Sequence, residues 1–105
     1  MEALKGFEKK YLRGLAHSLR PVVIIGRQGI TGALLKSVEQ ALNDHELIKI
    51  KFNEFKEKEQ KAEIAARIEK SAGCRLAGMI GHTAVFFRPH PDPEKRAIRL
   101  PTRPG

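Results

Sequence analysis

The sequence predicts an α/β domain, a mixed four-stranded sheet packed with helices, with elements in the order α, β, α, β, α, β, β. Three observations carry this. Apolar residues recur at three- and four-residue spacing in three separate stretches, short β-branched or alternating runs stand between them, and two neighbouring strand-like runs flank Gly81-His82. With 105 residues and 41% hydrophobic content, the chain is long enough for one core and too short for two. Strand-helix-strand steps favour parallel pairing with right-handed crossovers, and the closing hairpin adds an antiparallel edge.

The first helix is read over Leu4 to Leu19, where Leu4, Phe7, Tyr11, Leu12, Leu15, Ala16 and Leu19 form an apolar stripe. At about 100° per residue, Lys5, Lys9, Lys10, Arg13, His17 and Arg20 fall on the opposite, cationic arc. Pro21 biases Arg20 away from helical dihedrals and ends the element. Val22-Val23-Ile24-Ile25 is β-branched with no polar alternation, the pattern of a strand buried on both sides. Gly26-Arg27-Gln28-Gly29 is a turn, and Thr31 is the expected N-cap of a helix carrying Leu34, Leu35, Val38, Ala41 and Leu42 on one face. That helix closes near Asn43-Asp44. Leu47 to Phe52 alternates as a half-exposed strand, with Lys49 and Lys51 on its outer face. The charge-dense segment from Lys56 runs into a helix through Ile64, Ala65, Ile68 and Ala72, stopped by Gly73. Cys74 to Ile80 and Thr83 to Arg88 form the hairpin. Residues 1 to 89 make the domain. Residues 90 to 105, in a stretch rich in proline and basic groups, read as a mobile or extended tail.

Charge narrows the function. The 20 Lys+Arg exceed the 12 Asp+Glu to leave +8, and residues 1–29 and 74–105 each carry +4 while the middle is balanced. Excess concentrated in this way makes a local positive potential suited to a polyanion; a merely solvated basic surface is the bland alternative. Aromatics at 6% and the absence of Trp disfavour broad base-stacking platforms. A single Cys excludes an intramolecular disulfide or a Cys-pair zinc site, and His17, His45, His82 and His90 lack metal-ligand spacing, so neither a metal nor another cofactor is expected. No apolar run approaches the ~20 residues of a membrane span, and the N-terminus lacks a signal-peptide core. A soluble, cytoplasmic protein with no membrane partner is the expectation.

Three G-x-x-G matches occur, at Gly26–Gly29, Gly29–Gly32 and Gly78–Gly81, and with 9 glycines such matches arise by chance. Context separates them. Gly26 to Gly29 joins a strand to a helix N-terminus, which presents backbone N–H groups and a positive helix end to an anion. Glycine permits close approach of a polynucleotide backbone, and Arg27 adds a bidentate phosphate donor. The alternative is an ordinary turn whose glycines only satisfy their dihedrals. Neither the P-loop nor the dinucleotide fingerprint is present.

The run from Leu12 to Thr31, LRGLAHSLRPVVIIGRQGIT, resembles the signature of the CRM domain, the chloroplast RNA splicing and ribosome maturation domain, in its stand-alone bacterial YhbY-like form. Glu46 to Lys51 and Ile80 to Pro89 match further blocks in the right order, so the resemblance spans residues 4 to 89. It implies a fold related to the C-terminal domain of translation initiation factor 3, and an RNA-binding protein that assists assembly of the large ribosomal subunit on ribosomal RNA within its precursors; a monomer is expected. It also implies that Gly26-Arg27-Gln28-Gly29 touches the RNA backbone, as the similar loop of KH domains does. Gln28 and His82 depart from the commonest family choices at their positions, and the tail lies outside the shared pattern. The expected RNA-binding set is Lys9, Lys10, Arg13, Arg20, Gly26, Arg27, Gln28, Gly29, Thr31, His82 and Arg88.

Catalysis, as in an RNA-processing enzyme, is the main competing class. Cys74 at a strand start is read as a small buried hydrophobe, and Asp44-His45-Glu46 as a polar turn, so no catalytic residue is expected. An adaptor that binds an acidic protein through Lys9, Arg13 and Arg20 is the remaining competitor.

Overall fold

The structure is a computed structural model, and it describes residues 1–102. The α1 helix (Gly6–Ala16) starts where the Glu8 carboxylate accepts the Lys5 backbone N–H at 2.8 Å. It ends three residues short of the predicted Leu19, because the chain tightens into i→i−3 bonds (His17 N to Gly14 O 3.3 Å, Leu19 N to Ala16 O 3.0 Å). The Lys49 ammonium caps this end, donating to the carbonyls of Leu19 (3.0 Å) and His17 (3.4 Å). After it come β1 (Val23–Ile25), α2 (Gly32–His45), β2 (Leu47–Phe52), α3 (Lys58–Ala72), β3 (Arg75–Ile80) and β4 (Thr83–Phe87). Thr31 caps α2 as expected, its Oγ1 accepting the Leu34 N–H at 3.0 Å. Gly73 closes α3 in the left-handed conformation, φ 62°.

The four strands lie in the order β1-β2-β4-β3, with β1 parallel to β2 and the other pairs antiparallel. The predicted mixed sheet and element order are those of the structure. The register of β3 on β4 shifts between Leu76 and Gly78, a bulge the alternation did not announce.

Helices cover both faces unequally. On one face α2 and α3 enclose the larger core, built around Ile25, Val38, Ile50, Phe52, Ile68 and Phe86, all fully buried. On the other, α1 buries Leu12 and Ala16 against Leu47, Ala77, Val85 and Phe87. A fully buried leucine such as Leu12 contributes about 1.5–3 kcal/mol.

Two expectations are corrected. The first strand is not buried on both sides: β1 pairs only with β2, so it is an edge, and while Val23 and Ile25 point into the core, Ile24 and Val22 are 55% and 50% exposed. A β-branched run measures strand propensity but not the number of covered faces. Residues 90–102, read as a mobile or extended tail, are docked on the domain. Glu46, 5% exposed, accepts the backbone N–H groups of His90 (2.7 Å), Ala97 (2.8 Å) and Ile98 (3.1 Å), and Ile98 and Leu100 pack on the α1-side core. A short 3₁₀ turn, Pro93–Lys95, starts on a proline, which needs no N–H partner there. Residues 103–105 of the predicted tail, Arg103 among them, lie outside the described residues.

Candidate nucleic-acid interface

Parallel pairing of β1 with β2 and antiparallel pairing of β2 with β4 bring three connections to one end of the sheet. These are the Gly26–Gly29 loop, the segment after Phe52, and the Gly81-His82 turn. They are tied together by backbone bonds from Asn53 N to Ile25 O (3.0 Å) and from Phe52 N to His82 O (2.8 Å). The glycine loop closes on itself, Gly29 N to Gly26 O at 3.0 Å. Gly29 has φ 64° and Gly26 does not require a positive φ, so only the second glycine is fixed by backbone sterics. A Cβ on Gly29 would also stand 3.3 Å from Cε2 of Phe55, whose ring braces the loop. Around Gly26 there is open space.

Arg27 and Gln28 are exposed at the loop, and among the described residues Arg27 has no ion-pair partner. The amides of Gly32 and Ala33 begin α2 without the side-chain partner that Thr31 gives Leu34, so the loop leads onto a positive helix end. His82 is exposed at the hairpin turn, where Lys61 Nζ lies 3.3 Å from its Nδ1 and 2.8 Å from the Gly81 carbonyl.

A second cationic surface adjoins this end on the α1 face of the sheet. Residues alternate across a strand, and the register places Ile24, Lys51, Thr83 and Ile80 in one row across all four strands, beyond the cover of α1. Ile24 and Ile80 are 55% and 51% exposed, and Lys51 is exposed between them. Lys9, Lys10 and Arg20 are exposed on the first helix and its exit, and Lys51 faces the same side of the sheet. The beginning of α3, with Lys56, Lys58, Glu57 and Glu59, is balanced by comparison.

Arg13 departs from the reading of a solvent-facing stripe. Its guanidinium Nη1 donates to the Ala77 carbonyl at 2.9 Å, and its stem lies over Gly78, where a Cβ would come within 2.5 Å of Arg13 Cδ. The side chain crosses the sheet instead of projecting from the helix, because residue 78 lacks one. Arg88 is likewise engaged: Nη1 donates to Glu39 (2.7 Å) and to the Ala72 carbonyl (2.8 Å), and Nη2 to Asn43 (2.7 Å), at the sheet end opposite the glycine loop. The structure therefore groups Gly26, Arg27, Gln28, Gly29, Thr31 and His82 at one end, and sets Lys9, Lys10 and Arg20 on the helix side. It commits Arg13 and Arg88 to internal acceptors.

Sequence reasoning missed Phe55 and Glu46. A lone aromatic within a charged connection was the available signal for the first. For Glu46, at φ 57° immediately after α2, no pattern marks a buried carboxylate. Cys74 is buried as expected, and burial first, then the Glu69 carboxylate, push its thiol up to about 12, so it is neutral near pH 7.

A mixed α/β domain with this sheet order and a glycine loop between an edge strand and a capped helix defines a recognisable class. The chain belongs to the CRS1 / YhbY (CRM) domain family, whose pattern matches residues 4–88. A protein of Haemophilus influenzae named "RNA-binding protein" is 39% identical over 103 residues, covering 98% of this chain and all of its own length. One of Bacillus subtilis, named "Probable RNA-binding protein YqeI", is 33% identical over 98 residues, 93% of this chain and 99% of the relative. The solution structure of the hypothetical protein SAV1595 from Staphylococcus aureus superposes with a TM-score of 0.79 at 32% identity, covering 93% of this chain and 99% of that one.

Proposed function

We propose that the protein binds RNA, holding phosphates with the Gly26–Gly29 loop and with Lys9, Lys10, Arg20 and Lys51, and that it does so on ribosomal RNA in precursor large ribosomal subunits. The observation that carries this is the exposed Arg27, without an ion-pair partner among the described residues, on a strand-to-helix loop beside a helix start with free amides. Family membership and the names of the relatives support the RNA ligand. The role is binding without chemistry, in the cytoplasm, and a net charge of +8 favours a monomer.

Salt titration of binding to ribosomal RNA tests the reading. About five phosphate contacts give a slope of log affinity against log salt of roughly −3.5 to −4.5. Replacing Arg27 and Gln28 together by Asp keeps both glycines, leaves the melting temperature unchanged, and weakens binding by roughly thirtyfold, from lost charge-assisted bonds and new repulsion. A flat salt plot, or a folded double variant with parental affinity, refutes it.

An adaptor role is favoured by a different feature, a depression of about 460 Å³ between the first helix and residues 97–98, walled by Leu15, Leu19, Val22 and Leu47. Association with precursor subunits that survives RNase treatment supports that second reading.

A further inference from the structure

Two depressions of about 460 and 540 Å³ meet at Ser37 and run as one cleft from the glycine loop to the far end of α2. One wall is the free edge of β1, where an edge strand turns unpaired backbone N–H and C=O groups outward, with the exposed side chains of Val22 and Ile24. The other wall is α2, on which Ala33, Ser37, Gln40 and Asp44 stand at four-, three- and four-residue steps and so share a face. From Ser37 to Asp44 this face is about 10 Å long.

We propose that this cleft is the path of a single-stranded RNA segment leaving the glycine loop, and that Ser37, Gln40 and Asp44 read its bases. The proposal rests on the RNA-binding reading above and adds to it the kind of RNA and the residues that select it. Arg27 stands at the loop end, and Lys36 and a single acid, Asp44, line the α2 side, all three exposed. A phosphate would be repelled by Asp44, whereas base amino groups would be attracted, so the backbone lies toward the rim and the base edges toward the helix. Gln40 Nε2 donates to Asp44 Oδ1 at 3.1 Å, which orients the carboxylate and leaves its other oxygen, with the Gln40 carbonyl, to accept from a base. A duplex hides the Watson–Crick edges of its bases in pairing, and its narrow major groove excludes side chains. The cleft lining contains no Phe, Tyr or Trp, so bases here are gripped by their edges and by packing on Val22 and Ile24, with the His45 imidazole at the far end the one ring in the lining.

Asp44 also predicts a composition bias. Guanine, cytosine and adenine carry an exocyclic amino donor, whereas uracil offers only its ring N3–H, so oligouridine is the weaker ligand.

The experiment uses the full chain with labelled RNAs of about 12 nucleotides, a length within the roughly 4–16 nucleotides typical of single-strand sites. A mixed-sequence single strand, its blunt duplex and oligouridine are compared by fluorescence anisotropy. The parent binds the single strand more tightly than the duplex. Ser37→Trp, which fills the cleft from an exposed helix position, lowers single-strand affinity about tenfold, the loss of one charge-assisted bond or more, and leaves duplex affinity unchanged. Asp44→Asn abolishes the discrimination against oligouridine. Duplex binding serves as the control for folding in both variants. Unchanged single-strand affinity in Ser37→Trp, or an equal loss for duplex and single strand, overturns the cleft while RNA binding stands. Failure of the parent to bind either RNA overturns the RNA-binding reading and the cleft together.

Discussion

Ala substitution at the two glycines of the loop moves stability in opposite directions. At Gly29, φ is 64°, and an alanine there costs about 1–2 kcal/mol for the left-handed conformation, offset by about 0.4–1 kcal/mol from the reduced freedom of the unfolded chain. Its Cβ would press the Phe55 ring at 3.3 Å, which adds to the cost. At Gly26 the φ is not in the positive range and nothing lies within 4 Å of a new Cβ, so only the unfolded-state gain of about 0.4–1 kcal/mol is left. The two variants then differ by about 2 kcal/mol, and their melting temperatures by roughly 8–16 °C in a domain of this size. Thermal unfolding by circular dichroism, at one protein concentration, measures the gap. A Gly29→Ala variant as stable as Gly26→Ala would mean that the loop does not hold the described conformation. With the fold intact, Gly26→Ala then becomes the cleaner probe of close approach by RNA, since any loss of affinity comes from the added methyl group.

Arg13→Glu removes the bond to the Ala77 carbonyl and the stem packed over Gly78, lowering stability by about 1–2 kcal/mol, while Lys9→Glu on the exposed arc stays within about 0.5 kcal/mol in urea unfolding. Equal effects would return Arg13 to the surface. Glu46→Ala orphans three backbone N–H groups, costs about 2–4 kcal/mol, and makes residues 90–102 the first site of limited proteolysis; cleavage at the parental rate counts against the anchor. Raising the Cys74 thiol from 9.0 to about 12 means that the folded state favours the neutral thiol. Its stabilising contribution is complete below pH 9 and is lost as pH climbs toward 12, and Cys74→Ser loses this dependence in melts between about pH 8 and 10.5. The same thiol resists alkylation at mildly alkaline pH until urea is added.

Periodicity makes most of the architecture legible. The alternation over Leu47–Phe52 marks its strand to the residue, Thr31 and Gly73 mark real helix ends, and the mixed sheet follows from element order, because each depends on local chemistry that the chain carries with it. What stays hidden depends on partners distant in sequence. Arg13 lies on a polar arc by angle alone, and only the missing side chain at Gly78, sixty-five positions away, folds it inward. Val22-Val23-Ile24-Ile25 spells strand, but whether one or two neighbours flank it is decided by the sheet order. The proline-rich tail has the composition of a free segment and is held by Glu46, whose burial no spacing announces. For the interface, the glycine loop is visible because strand, turn and cap are consecutive, whereas its brace, Phe55, comes from the next connection.

The sheet divides the buried side chains among the described residues into a cluster of fifteen beneath α2 and α3 and a cluster of seven beneath α1. The two layers therefore have unequal holding power, and local opening begins with the smaller one. Amide protons of α1 exchange with solvent sooner than those of β2 and β4, which are clamped between both clusters. The helix that carries Lys9 and Lys10 is thus the adaptable layer of the molecule. In the proposed mode of binding, it adjusts its seat to an irregular RNA while the sheet and the Gly26–Gly29 loop keep their shape.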